Sequence, residues 1–177
     1  VYKRQRDEYV KVMDSLPVDD DLALFESFYG RGMISNPFAI FRAWALRSDF
    51  RAMRFVWALD DLAAHSGLIK ESKKRWSNVS FVERGSQDYM SVLARAKFLV
   101  NDVTFYFDFV KRPEQVYVNT WHSITVKSLG FDVPGKRLDQ KNVVRNMLAC
   151  DFFLAANDFV KDDMVLRSHM MDGLMPG

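Results

Sequence analysis

Short apolar runs alternating with longer helical stretches constrain this chain more than any other feature. The runs fall at residues 22–28 (LALFESF), 54–59 (RFVWAL), 78–82 (NVSFV), 98–101 (FLVN), 116–120 (VYVNT) and 152–156 (FFLAA). Each has the length of a buried strand, and turn or capping residues bound most of them. Between them, SNPFAIFRAWALR reads as a helix capped by Ser35 or Asn36, with Pro37 at its first position and an apolar face around Ile40, Ala43 and Trp44. Ser86 is placed to cap a helix through QDYMSVLARAK. A further helix is expected from Asp139 to Cys150, and a last one from Asn157 or Asp158 towards Arg167. The segment after Leu59 is polar and gives no clear pattern. Strands and helices in this alternation predict an α/β fold, a Rossmann-like parallel sheet with flanking helices and right-handed crossovers.

The 177 residues suit one domain, and the 49% hydrophobic content suits a folded core. No apolar run approaches the roughly 20 residues that a membrane-spanning helix needs. The single cysteine, Cys150, allows no internal disulfide, and no Cys/His cluster has zinc-ligand spacing. The first five residues, VYKRQ, read as the in-frame translation of a sequencing or cloning scar, so residues 6–21 form a lead-in and residues 22–177 the folded domain. Without Lys3 and Arg4 the 25 basic residues fall to equal the 23 acidic ones. That balance gives no argument for nucleic acid as a partner. YGRG, after the first strand, lacks the GxGxxG spacing of a dinucleotide site. TFYFDFV (residues 104–110) reads as a strand or loop packed on the core.

The chemistry concentrates in YVNTWHSITVKSLGFD, residues 117–132. In an open parallel sheet, ligands bind beyond the carboxyl ends of the strands, where His122 is expected to fall. A histidine there can serve as a general base near neutral pH, or it can simply hydrogen-bond the backbone at a strand end. Lys127 and the hydroxyls of Ser123 and Thr125 are suited to phosphate oxygens. His65 and His169 lack such a setting and read as structural or surface residues.

The same segment resembles the signature of the teichoic-acid glycerophosphotransferases, the CDP-glycerol:poly(glycerophosphate) glycerophosphotransferase family, which runs approximately Y-x-x-T-W-H-G-T-P-L-K-x-L-G-x-D. Tyr117, Thr120, Trp121, His122, Lys127, Leu129, Gly130 and Asp132 stand at matching positions. LFESFYGRGMISNPFAIFRAW, RFVWAL, YMSVLARAKFLVND and ACDFFLAANDFVKDDM are similar to family segments in the same order. Ser123 replaces the family's glycine, and Ile124-Thr125-Val126 replaces its Thr-Pro-Leu.

The resemblance implies the N-terminal, acceptor-side half of a glycosyltransferase-B architecture, with the nucleotide-binding half absent, so that the isolated fragment would be inactive. It implies transfer of glycerol phosphate, or ribitol phosphate, from a CDP-linked donor to a lipid-linked acceptor, releasing CMP. His122 would be the catalytic base. Gly30, Asn36, Thr120, Trp121, Ser123 and Lys127 would bind substrate. No cofactor is expected, no residue is assigned as a metal ligand, the sequence does not decide whether a metal takes part, and CDP-glycerol is the donor substrate. The expected partners are that donor, the lipid-linked acceptor and, through it, the cytoplasmic face of a bacterial membrane. A nucleotide-sugar glycosyltransferase and a non-catalytic glycan- or polymer-binding module are the alternative readings.

Overall fold

The computed structural model describes residues 2–122 and 128–175. Six strands form one sheet: β1 (Asp19–Glu26), β2 (Arg54–Leu59), β3 (Val79–Glu83), β4 (Ala96–Asn101), β5 (Val116–Asn119) and β6 (Phe152–Phe153). Their order is β3-β2-β1-β4-β5-β6, and every pairing is parallel. The order reverses between β1 and β4, which opens a crevice beyond their carboxyl ends.

Alternation along each strand sends side chains to opposite faces. Leu22, Leu24, Val56, Ala58, Leu99 and Tyr117 join one core with Tyr9 of α1 (Tyr2–Ser15) and with Tyr89, Met90 and Leu93 of α4 (Gln87–Arg95), where α1 and α4 are numbered in chain order. Ala23, Phe25, Phe55, Trp57 and Val100 join the other, against α2 (Ser35–Ala45) and α3 (Ser66–Arg75). That second core is aromatic. Phe41 has no solvent exposure and sits 5.3 Å from Phe55 and 5.0 Å from Trp76, both edge-on. Edge-on pairs of this kind add to simple area burial.

Several expected boundaries move, each for a local reason. β1 begins earlier than residue 22, because its acidic start meets counter-charges: Asp19 pairs with Arg54 and Arg95, and Asp20 with Lys97. It ends earlier as well, because Phe28 has φ 45° and cannot extend a strand. The face of α2 centres on Phe41 and Pro37, and Ala43 is exposed. Ser35, at φ 61°, makes no side-chain cap to this helix.

The polar segment after β2 contains α3, and α1 spans the expected boundary between scar and lead-in. Ser86 caps α4 as expected, its Oγ accepting the Tyr89 N–H at 3.1 Å. α5 (Lys141–Ala149) starts after a short 3-10 turn at Arg137–Gln140. β6 is only two residues long, and the final helix is a π-helical segment, Phe159–Arg167. Asn157 Oδ1 accepts the Val160 N–H near its start at 2.9 Å. Residues 104–110 form an irregular segment whose Phe105 and Phe109 pack on Tyr117.

Candidate active site

Two asparagines at the ends of neighbouring strands set the floor of the site. Asn101 ends β4 and Asn119 ends β5, and they face each other in register. Asn119 Nδ2 donates to Asn101 Oδ1 at 3.0 Å and to Val103 O at 2.7 Å, while its Oδ1 accepts the Trp121 N–H at 2.8 Å. The Thr120 N–H donates to Asn101 O at 2.8 Å. These bonds hold Trp121 at φ 50° and turn the chain sharply as it leaves the sheet. A left-handed, bulky residue persists only where its surroundings over-determine it, and such residues gather at functional sites.

The turn delivers His122 to the crevice with its ring exposed. Its Nδ1 lies 2.8 Å from the carbonyl oxygen of Asp102. A carbonyl can only accept, so Nδ1 carries the hydrogen and Nε2 keeps its lone pair. The carboxylate of the same Asp102, wholly buried, accepts the Ser27 hydroxyl at 2.7 Å and the Phe28 N–H at 2.9 Å. One residue at the point of strand-order reversal therefore fixes both the histidine and the loop opposite. Phe28 closes the contact, its ring edge-on to His122 at 5.4 Å.

That loop is unusual. Phe28, Tyr29 and Gly30 are all left-handed, at φ 45°, 59° and 93°. Gly30 is required on steric grounds: a Cβ there would lie 2.5 Å from the Asp60 nitrogen and 2.8 Å from the Leu59 carbonyl carbon. Gly30→Ala is expected to lower stability by about 1–3 kcal/mol, the cost of a strained backbone position. Gly67→Ala, where nothing lies within 4 Å, is expected to be neutral or stabilising. Urea denaturation of the two variants against the parent checks the contrast.

A cavity of about 200 Å³ lies beside His122, lined among others by Tyr29, Thr104, Trp121, Gln140 and His169. A larger depression of about 480 Å³ runs along Arg167, Met170 and Asp172, with neither histidine among its described lining residues. Gly130 also lines the smaller cavity, and Asp132 ends the same 3-10 turn, Gly130–Asp132. A Cβ on Gly130 would meet Ser168 O at 2.2 Å, the Phe131 N–H donates to that same oxygen at 2.8 Å, and Ser168 Oγ donates to Asp132 Oδ2 at 2.7 Å. The glycine and the acid of the signature thus dock this turn onto the end of the π-helical segment.

The expected site residues divide accordingly. His122 and Trp121 line the cavity, and Thr120 is buried beneath them. Gly30 acts through backbone shape. Asn36, exposed, reaches Thr120 O with its amide at 3.5 Å and so braces the turn. Ser123 and Lys127 lie outside the described residues. Asp102, Asn101 and Asn119 are new, and a signal existed for them: LVND and YVNT each place an amide at a strand's last position. His169, read from its sequence setting as a structural or surface residue, is buried, anchored to the Met164 carbonyl, and also lines this cavity. Cys150 is no competing nucleophile, since burial pushes its thiol up to about 12. Among the described residues no group of three or more His, Cys, Asp or Glu could hold a metal ion.

Known proteins share both sequence and fold with this chain. Over 158 residues it is 25% identical to a teichoic acid poly(glycerol phosphate) polymerase of Bacillus spizizenii, covering 84% of this chain and 38% of that one. Over 129 residues it is 26% identical to a teichoic acid glycerol-phosphate transferase of Staphylococcus aureus, covering 72% and 30%. The chain therefore spans about a third of the length of these relatives. The structure of the wall teichoic acid polymerase TagF superposes with a TM-score of 0.71 at 20% identity, covering 95% of this chain and 40% of that one. A TagF variant soaked with CDPG superposes with a TM-score of 0.74, covering 93% and 39%. Residues 8–172 match the family described as CDP-Glycerol:Poly(glycerophosphate) glycerophosphotransferase, and with so much of its length matched the chain belongs to that family.

Proposed function

We propose that this chain forms the acceptor-side part of a glycerophosphotransferase that extends or primes a teichoic acid with glycerol phosphate from CDP-glycerol. The observation that carries the reading is His122: an exposed imidazole with Nδ1 anchored and Nε2 available, beyond the carboxyl ends of the central strands, in a chain of this family. In the reaction an acceptor hydroxyl oxygen bonds to the β-phosphorus of CDP-glycerol, and the bond from that phosphorus to the oxygen of CMP breaks. CMP leaves with the electron pair, and the hydroxyl proton passes to His122 Nε2. Positioning and stabilisation of the spreading phosphate charge supply the larger part of such a rate enhancement. Lys127 is assigned to that charge and Ser123 to the neighbouring backbone approach. The donor's nucleotide is assigned to residues outside these 177, so the isolated chain would not turn over.

The acceptor, in this reading, is lipid-linked and brings the protein to the membrane surface. No helix among the described residues is long and apolar enough to cross a membrane. The test is CMP release and label transfer by the protein that carries this chain, with CDP-glycerol, CDP-ribitol and a nucleotide sugar offered in parallel. Acceptor-dependent CMP release from CDP-glycerol is the expected result. Turnover only with a nucleotide sugar would replace the proposal with the glycosyltransferase alternative.

A further inference from the structure

Two imidazoles share the cavity, and they are anchored in the same way. His122 Nδ1 bonds to the carbonyl of Asp102 at 2.8 Å; His169 Nδ1 bonds to the carbonyl of Met164 at 2.6 Å. In both cases the carbonyl forces the hydrogen onto Nδ1 and leaves a lone pair on Nε2. Trp121 touches both, its ring 4.9 Å from that of His122 and 5.7 Å, edge-on, from that of His169. The two imidazoles and the indole therefore line one small space together.

The roles of the two must differ. His169 is 1% exposed, and burial holds its imidazole below the usual histidine range, so it stays neutral. Its backbone anchor accounts for Nδ1 alone. Nε2 is the ring's remaining acceptor, and Gly130, by lacking a Cβ, lets the adjacent turn close against the Cδ2 edge. On the same wall the buried indole N–H of Trp121 has no partner among the described residues, and such a group costs stability unless something fills it. The rest of the lining suits small hydroxylated molecules. Thr104 Oγ1 accepts from Asn142 Nδ2 at 3.2 Å and keeps its own hydrogen to donate, and Gln140 and Tyr29 add further polar groups beside an apolar indole face.

We propose that His169 is a polyol-binding residue of this cavity, its Nε2 accepting a hydrogen bond from a second hydroxyl of the glycerol unit whose first hydroxyl meets His122. The inference rests on the proposed function and adds to it the basis of acceptor choice. A site that hydrogen-bonds a substrate hydroxyl discriminates against an analogue lacking it, because the site's own polar group is left unpaired. A terminal glycerol unit carries two free hydroxyls, one for each imidazole.

The test needs no turnover. Imidazole ¹⁵N resonances of the 177-residue chain are followed during titration with sn-glycerol 3-phosphate and with 3-hydroxypropyl phosphate, which lacks the middle hydroxyl. Glycerol 3-phosphate is expected to shift the Nε2 signals of both His122 and His169 and to bind about five- to tenfold more tightly than the analogue, the worth of one hydrogen bond. The analogue is expected to shift His122 alone. His169→Phe is expected to abolish the preference, and His169→Gln, which retains an acceptor, to restore part of it. The unsubstituted chain keeps the test decisive if a variant fails to fold. A shift at His122 without one at His169, or an undiminished preference in a folded His169→Phe, overturns this inference and leaves the proposed function standing. Silence at both imidazoles overturns this inference, and coupled with absent CMP release it overturns the proposed function too.

Discussion

His122→Asn is expected to lower glycerol-phosphate transfer about 10²- to 10⁴-fold, the range that general-base help supplies. Asparagine is the informative substitution because its amide can still donate to the Asp102 carbonyl that now holds Nδ1 at 2.8 Å. Turn and loop then stay in place while the lone pair that takes the proton disappears. If His122 acts only as base, kcat falls and the KM for CDP-glycerol changes little, since the interaction removed is one made in the transition state. A variant with full activity would end the base assignment. A variant whose KM rises while kcat holds would make His122 a binding residue instead.

The surroundings of His122 add a positional argument. Asp102 ties the histidine and the Ser27–Phe28 loop to one residue, so the base and the opposite wall of the crevice move as a unit. Preorganisation of this kind is how a fold limits the reorganisation needed during reaction.

How much of this was legible beforehand follows from range. The alternation of apolar runs with helical stretches announced the parallel sheet, and it did so because strand burial on both faces writes itself into local sequence. Ser86 was legible because a cap is a contact three residues long. Arg54–Leu59 was legible to the residue, being wholly buried after its first position. The end of β1 was not: Phe28 and Tyr29 have strand-forming side chains, and what turns them left-handed is Asp102, 74 residues away from Phe28 in sequence. The same holds in the site. His122 stood out through its neighbours in the chain, whereas His169 owes its place to a turn at Gly130 that docks on Ser168 across 38 residues of sequence. Local pattern carries the elements, and long-range hydrogen bonds assemble the cavity.

The second large effect belongs to a charge buried beneath that loop. Glu26, the last residue of β1, has no solvent exposure, and its carboxylate accepts from Arg84 Nε at 3.0 Å and from the Tyr89 hydroxyl at 2.8 Å. Burial raises its pKa above the ordinary carboxylate range, and Arg84 and Tyr89 pull it partly back. Arg84→Met leaves this carboxylate uncompensated, which is expected to cost about 3–5 kcal/mol near neutral pH. The pH dependence has a definite sign. A carboxyl group whose folded pKa lies above its unfolded one holds more protons in the folded state, so stability falls as pH rises from the ordinary carboxylate range through the folded value. Without Arg84 that pull upward is larger, so the variant should lose most at pH 8 and regain stability towards pH 5. Glu26→Gln combined with Arg84→Met should be more stable than Arg84→Met alone, because an amide can be buried neutral and still accept from Tyr89. Urea denaturation at the two pH values measures both effects. Equal losses at pH 5 and pH 8, or a double variant no better than the single, would mean that the guanidinium matters for packing rather than charge. The guanidinium carbon also lies 5.3 Å from the ring centroid of Tyr29, which lines the cavity beside His122. The ion pair under β1 is thereby tied to the shape of the site, and the folded fraction of Arg84→Met should bind sn-glycerol 3-phosphate more weakly than the parent even at pH 5.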